Sequence, residues 1–93
     1  MIRTFASKAT TDIWYGRRTR SLPPDIQDRA RRKLRMLNNA GALQDLRVPP
    51  NNRLEKLSGE RSGQYSIRVS RQWRVCFRWV DGDAYDVDVV DYH

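Results

Sequence analysis

Side chains in the last third of the chain, residues 64–93, alternate between apolar and polar. Successive side chains of a β-strand point to opposite faces, so the alternation predicts strands at residues 64–69, 73–80 and 85–90. In the middle run one face carries Trp73, Val75, Phe77 and Trp79, and the other carries Arg74, Cys76, Arg78 and Val80. The pattern therefore predicts an antiparallel sheet with one covered apolar face and one face open to water.

Apolar pairing across the last hairpin predicts a three-residue turn at residues 81–83. With this turn the facing pairs are Trp79 with Tyr85, Phe77 with Val87, Val75 with Val89 and Arg78 with Asp86. A two-residue Asp81-Gly82 turn is the commoner hairpin signal, but it would place Phe77 against Asp86. A slip of one residue sends the whole apolar set to the other face, so the longer turn is preferred.

The first half of the chain has helical periodicity. Residues 8–15 predict a helix that begins at the N-cap Ser7 and buries Ala9, Ile13 and Trp14. Residues 26–39 predict a longer helix capped by Asp25, because one face repeats Ile26, Ala30, Leu34 and Leu37. Residues 2–5 are a candidate edge strand of the sheet.

Helices followed by consecutive strands predict the fold class. The order is typical of an α+β protein, with two N-terminal helices packed on an antiparallel sheet. At 93 residues the chain has room for one modest core, so we expect a single domain over residues 1–93.

The net charge of +7 lies mainly in the first half of the chain. Such an excess favours a polyanionic partner, because neutralising phosphates releases counterions. The longer predicted helix carries a basic face of Arg29, Arg31, Arg32, Lys33 and Arg35. This face is either simply solvated, or it contacts phosphate or a protein partner.

Composition excludes several other classes. No apolar run approaches the ~18 residues of a membrane span, and the first residues do not resemble a signal peptide, so we expect a cytoplasmic protein without membrane contact. Cys76 and His93 are the single cysteine and the single histidine. They cannot form a zinc site of the usual four-ligand type, and no metal or other cofactor is expected.

The end of the chain carries groups that can cut RNA without a metal. The 2′-hydroxyl can attack the adjacent phosphorus if a base, an acid and cations surround it. His93 and Tyr92 can transfer protons, Asp91 can position them, and Arg74 and Lys56 can stabilise the charge; Arg61, Arg68 and Arg78 would hold RNA. A purely structural interpretation is also open. In it His93 and Tyr92 are surface residues, Arg74 pairs with an acid, and the tryptophans are part of the core.

Several segments resemble HigB toxins of the RelE superfamily. They are residues 54–61 (LEKLSGER), 63–69 (GQYSIRV), 72–77 (QWRVCF), 82–85 (GDAY) and 91–93 (DYH). The resemblance implies a type II toxin, a ribosome-dependent endoribonuclease (mRNA interferase) that cuts mRNA. It also implies neutralisation by a HigA-like helix-turn-helix antitoxin, through which contact with operator DNA would be indirect.

Site residues carried over from the resemblance fall mostly on the same positions. The terminal Asp, Tyr and His of the family fall on Asp91, Tyr92 and His93, and its phosphate-binding arginine falls on Arg74. Two positions depart from the family pattern: Glu55 stands where some members have a catalytic histidine, and Ser58 stands where they have a lysine. Lys56 is a candidate replacement for that missing cation. A non-catalytic or degenerate module that binds antitoxin or RNA without cleaving is the alternative.

Overall fold

The computed structural model describes residues 1–91. Within them two helices pack on a four-stranded antiparallel sheet with the strand order β1-β2-β3-β4, which confirms the predicted α+β architecture. The elements are α1 Lys8–Trp14, α2 Pro24–Asn39, β1 Glu55–Lys56, β2 Gln64–Arg68, β3 Trp73–Val80 and β4 Asp83–Asp91. Short 3₁₀ turns at Leu43–Arg47 and Pro50–Asn52 link α2 to β1, and a third at Gly59–Arg61 lies between β1 and β2.

Helix α1 begins at the predicted cap, and of the three residues predicted to be buried it fully buries only Ile13. The hydroxyl of Ser7 accepts a hydrogen bond of 3.2 Å from the backbone N–H of Thr10, which satisfies a free donor of the first turn. The buried positions are Thr10, Asp12 and Ile13. Ala9 and Trp14 are only partly buried, because this short helix lies against β4 through polar side chains as well as apolar ones.

Helix α2 buries the predicted apolar stripe, but it does not use the predicted cap. Pro24 occupies the first turn and Pro23 stands at the cap position without a side-chain hydrogen bond, so Asp25 lies inside the helix. Proline is well suited to the first turn, where its missing N–H would have had no partner within the helix. The buried stripe joins the inner face of the sheet in one core cluster; its members are Ile26, Ala30, Leu34 and Leu37 from α2 and Val75, Phe77, Val87 and Val89 from the strands.

The last hairpin has a two-residue turn, so the predicted three-residue turn is wrong. Val80 pairs with Asp83, which leaves Asp81 and Gly82 as the turn. Both have positive φ, 50° and 83°, as tight turns that match the strand twist require. The predicted pairs next to the turn are therefore wrong by one position.

A β-bulge restores the apolar pairing further along the hairpin. Two residues of β4, Asp86 and Val87, lie opposite the single residue Phe77 of β3. Asp86 has a φ of 53°, in the left-handed region that aspartate visits more readily than most residues. The extra residue shifts the register back by one, so Val75 pairs with Val89 as predicted.

The second face of the sheet is less open than predicted. Ser66 and Cys76 are fully buried, and Arg74 is only 7% exposed. Arg68 is half-buried and Arg78 is exposed. The prediction of one open cationic surface is thus wrong for Arg74, because its guanidinium folds onto neighbouring polar groups.

Candidate functional site

Polar atoms of two neighbouring segments hold Arg74 in place. Its Nε donates a 2.7 Å hydrogen bond to Oγ of Ser66, and its Nη2 donates one of 2.6 Å to the carbonyl oxygen of Arg53. Its Nη1 lies 3.9 Å from Oε1 of Glu55, which is an ion-pair distance too long for a hydrogen bond. These contacts set the orientation of the guanidinium before any ligand binds.

Arg74 lines an open pocket of about 270 Å³ together with Arg53, Glu55, Arg68 and Arg71. We call this the Arg74 pocket. Strand register places Arg68 directly opposite Arg74, and Arg71 comes from the turn between β2 and β3. Four guanidinium groups beside one carboxylate favour an anion, and a planar guanidinium fits the oxygens of a phosphate.

Asp91 is the last residue of β4, and it does not line the Arg74 pocket. It pairs with Trp73, the first residue of β3, and its Oδ2 accepts a 2.9 Å hydrogen bond from Nε2 of Gln72. The end of β4 is therefore beside the start of β3, but alternation places Trp73 and its partner Asp91 on the opposite face of the sheet from Arg74. The two predicted proton-transfer groups, Tyr92 and His93, lie outside the described residues.

Lys56 lies apart from the Arg74 pocket. It pairs with Tyr65, whose ring packs 6.3 Å from that of Phe77 in the core. Neighbouring residues of a strand point to opposite faces, so Lys56 and Glu55 diverge. Lys56 lines a separate pocket with Leu43, Gln44, Arg47, Leu54 and Tyr65. The structure thus brings Glu55 to Arg74, and it does not bring Lys56 there.

Arg61 and Arg78 lie toward the far end of the second face. Nη1 of Arg61 donates a 3.2 Å hydrogen bond to Oε1 of Gln64, the residue that pairs with Arg78. Nε of Arg78 lies 2.7 Å from Oδ2 of Asp86, the residue predicted to face it. Four positions along β3 separate Arg78 from Arg74, which is about 13 Å.

A buried thiol lies between these two arginine groups. Burial raises the pKa of the Cys76 thiol, while the charges of Arg61 and Arg74 act in the opposite direction and are the smaller effect. The thiolate is the reactive form of cysteine. Cys76 is therefore a packing residue between the arginines and not a candidate nucleophile.

Sequence reasoning missed three members of the Arg74 pocket. Arg53 follows a 3₁₀ turn and has a φ of 45°, and Arg71 occupies a tight turn, so neither lies in a periodic stretch that could assign it to a face. Glu55 entered only as a departure from a family pattern. The sequence did carry one signal for Glu55: it is adjacent to Lys56. Because side chains alternate along a strand, only one of these two residues can face Arg74.

Residues 1–91 contain neither a metal-binding cluster nor a membrane-spanning helix. In that part of the chain, no three or more His, Cys, Asp or Glu side chains cluster in a way that could hold a metal ion. The helices there are too short or too polar to cross a membrane.

Comparison with solved structures identifies the same fold in other proteins. A YafQ mutant from E. coli superposes with a TM-score of 0.65 at 13% identity, covering 98% of this chain and 91% of the other. A heterotetrameric YoeB-YefM toxin-antitoxin complex from Staphylococcus aureus contains a chain that matches with a TM-score of 0.61 at 20% identity, covering 100% and 98% of the two chains.

Comparison by sequence identifies the family. The chain is 48% identical over 68 residues to Toxin HigB-1 of Vibrio cholerae, covering 73% of this chain and 72% of the relative. It is 31% identical to Endoribonuclease HigB of Proteus vulgaris over the full length of both chains. A family model described as the RelE-like toxin of type II toxin-antitoxin system HigB matches residues 3–93. The chain therefore belongs to the HigB-like family of RelE-like toxins of type II toxin-antitoxin systems.

Proposed function

We propose that this protein is a toxin with endoribonuclease activity, which cuts mRNA on the ribosome by attack of the RNA's own 2′-hydroxyl. The single observation that carries the proposal is the Arg74 pocket, in which a held guanidinium, three further arginines and one carboxylate surround a space of about 270 Å³. The full-length similarity to a protein named Endoribonuclease HigB supports the same activity.

Arg74 is the proposed binding group for the scissile phosphate. Charge increases on the phosphoryl oxygens as the 2′-oxygen attacks, and a donor already oriented toward them stabilises that charge without reorganising. The bonds to Ser66 and to the Arg53 carbonyl supply the orientation. Arg68 and Arg71 supply further positive charge at the rim of the same pocket.

Glu55 is the proposed general base. Its carboxylate lies 3.9 Å from Arg74, and its side chain is half-exposed, so a ribose bound at Arg74 can reach it. The 2′-hydroxyl gives its proton to Glu55 as the 2′-oxygen bonds to phosphorus, and the bond from phosphorus to the 5′-oxygen breaks. The products are a 2′,3′-cyclic phosphate and a free 5′-hydroxyl.

His93 is the proposed acid that gives a proton to the leaving 5′-oxygen. Tyr92 is proposed to orient the substrate or to act as a second proton-transfer group, and Asp91 is proposed to position them. Lys56, which we predicted as a transition-state cation, faces a different pocket, so the proposal gives it no part in the chemical step. No step of this reaction needs a metal ion.

The proposed partner is a HigA-like helix-turn-helix antitoxin that neutralises the toxin in the cytoplasm and links it to operator DNA. Membership of a toxin-antitoxin family supports an antitoxin partner. A protein of the same fold, YoeB, is in a complex with YefM.

The proposal is tested by inducing the chain in a bacterium without an antitoxin and mapping the ends of cellular mRNA. We expect growth arrest and new 5′-hydroxyl ends, both abolished by Arg74→Lys, because lysine cannot reproduce the bonds of a planar guanidinium. Loss of about 10²- to 10³-fold in cleavage rate is expected for one transition-state donor.

Antitoxin binding distinguishes enzyme from binding module in the same experiment. Arg74→Lys, once circular dichroism shows that it is folded, should still bind the antitoxin. Growth arrest and mRNA cleavage that persist in Arg74→Lys would contradict the proposal. Absence of arrest with the unmodified chain would instead identify a degenerate or non-catalytic module.

A further inference from the structure

A second groove, larger than the Arg74 pocket, lies between α2 and the turn that joins β2 to β3. Its volume is about 530 Å³, and its lining residues are Arg29, Arg32, Lys33, Asn51, Arg68, Val69, Ser70 and Arg71. We call it the α2 groove. Five of these side chains are cations and none is acidic, so the groove concentrates positive potential.

The α2 groove is continuous with the Arg74 pocket. Arg68 and Arg71 line both. Arg29 and Arg71 also line a third depression, which reaches Trp73 at the start of β3. A single polyanionic chain bound at Arg74 can therefore continue past Arg71 onto α2.

Lys33 indicates that the groove lacks compensating negative charge. Its Nζ donates a 2.6 Å hydrogen bond to Oδ1 of Asn52, a neutral acceptor. Partial burial lowers the pKa of Lys33, and the positive charge of Arg32 lowers it further. An anion in the groove would oppose both effects, so binding there is favoured by removal of an existing electrostatic cost.

We propose that the α2 groove binds the phosphate backbone of RNA beyond the cleaved nucleotide, so that substrate affinity and cleavage are carried by two adjoining surfaces. This inference rests on the proposed function and extends it. Phosphates fit the lining better than bases do, because the groove offers arginine and lysine donors and no aromatic ring on which a base could stack.

An acidic protein segment is the competing occupant, and the lining argues against it. Protein interfaces have an apolar centre with a polar rim, whereas Val69 is the one apolar side chain among the residues that line this groove. Contacts made only to phosphate carry no sequence information. The groove should therefore strengthen binding equally for RNAs of different sequence.

The test compares two double variants that each remove two positive charges. Arg29→Gln/Arg32→Gln changes the groove, and Arg18→Gln/Arg35→Gln changes exposed arginines that do not line it. The probe is a short mixed-sequence RNA with 2′-O-methyl groups, which cannot be cleaved by 2′-hydroxyl attack. Affinity is measured over a range of salt concentrations, and cleavage of the unmodified RNA is measured on programmed ribosomes.

The groove variant is expected to bind the probe about tenfold or more weakly, with the slope of log affinity against log salt reduced by about 1.5, as for two lost phosphate contacts. The control variant should change the affinity by much less. In the cleavage assay the groove variant should raise KM, whereas Arg74→Lys lowers kcat.

Three outcomes would overturn the inference while leaving the proposed function intact. Equal losses in the two variants would mean that only net charge matters. A groove variant with unchanged RNA affinity in an active enzyme would exclude the groove. A groove variant that binds RNA normally and loses antitoxin affinity would assign the groove to the antitoxin. If the unmodified chain neither binds nor cleaves RNA, the proposed function itself is wrong.

Discussion

Nε of Arg74 donates a 2.7 Å hydrogen bond to Oγ of Ser66, across two paired strands in a buried part of the sheet. The bond joins the proposed phosphate-binding side chain to a residue that has no direct access to solvent. Ser66 is therefore a positioning residue, since it acts on the substrate only through the orientation of Arg74.

Substitution of Ser66 tests this relationship. Ser66→Ala removes the acceptor for Nε, and we expect kcat for mRNA cleavage to fall about tenfold while KM changes little, because a misplaced donor stabilises the transition state less well. Ser66→Thr keeps the hydroxyl and should restore part of the rate. A kcat for Ser66→Ala equal to that of the unmodified chain would show that the Ser66 hydroxyl is not needed to orient Arg74.

Glu55 and Lys56 form a matched pair for testing the general base, because they are adjacent in β1 and lie on opposite faces. Glu55→Gln removes the proton acceptor and keeps the size of the side chain, so cleavage should fall by about 10²- to 10⁴-fold. Lys56→Gln should leave the single-turnover rate nearly unchanged. If Lys56→Gln slowed cleavage strongly and Glu55→Gln did not, Lys56 would take part in the chemical step and Glu55 would be excluded as the base.

The hydroxyl of Thr10 hydrogen-bonds α1 to β4. Its Oγ1 accepts a 2.9 Å hydrogen bond from the backbone N–H of Val89 and lies 3.1 Å from Oδ1 of Asp88, to which it donates. Thr10→Val leaves a buried N–H without its partner and should lower the free energy of unfolding by about 1–3 kcal/mol.

The control for this prediction lies on the same helix. The hydroxyl of Thr11 donates to the carbonyl oxygen of Ser7, so Thr11→Val leaves no buried N–H without a partner. Urea unfolding should therefore show a smaller loss for Thr11→Val than for Thr10→Val. Equal losses would mean that the Val89 contact contributes nothing specific.

Asp83 makes stability depend on pH in the acid range. A hydrogen bond from Arg3 lowers the pKa of Asp83 below 3.8, and the N-terminal amino group adds to the effect. A carboxyl with a lower pKa in the folded state binds protons more weakly there than in the unfolded chain. Its contribution is therefore complete above pH 3.8 and is lost as the pH falls through the lower, folded value.

The measurement is urea unfolding of the unmodified chain and of Asp83→Asn at several pH values. The unmodified chain should be the more stable of the two near neutral pH, and the difference should disappear as the pH falls well below 3.8. A difference that stays constant with pH would mean that the contribution of Asp83 does not depend on its charge.

Alternation and helical periodicity were sufficient to predict the layers of the fold, and they failed where a local irregularity occurs. The apolar pairs of the last hairpin argued for a three-residue turn because a strand was assumed to be regular. The bulge at Asp86 supplies the missing residue within β4, so both the common two-residue turn and the Val75–Val89 pair are kept. Nothing in the one-dimensional pattern locates such a bulge.

The candidate site was predictable only where it lies on strands. Arg68 and Arg74 share a face by period-two alternation and pair in the sheet. Arg53 and Arg71 reach the same pocket from non-repetitive backbone, whose direction depends on tertiary contacts. The sequence also predicted an exposed Arg74, because alternation specifies the face of a side chain and does not specify its burial.

The parallel bridges that Ile2 and Phe5 make with β4 have a consequence for self-association. Without residues 1–6, the outward backbone donors and acceptors of Ala84 and Val87 in β4 would be unpaired, and an open strand margin can template pairing with a second molecule. The opposite margin, β1, is only two residues long and carries a glutamate and a lysine. Both margins of the sheet are thus protected from intermolecular pairing, one by a covering segment and one by shortness and charge.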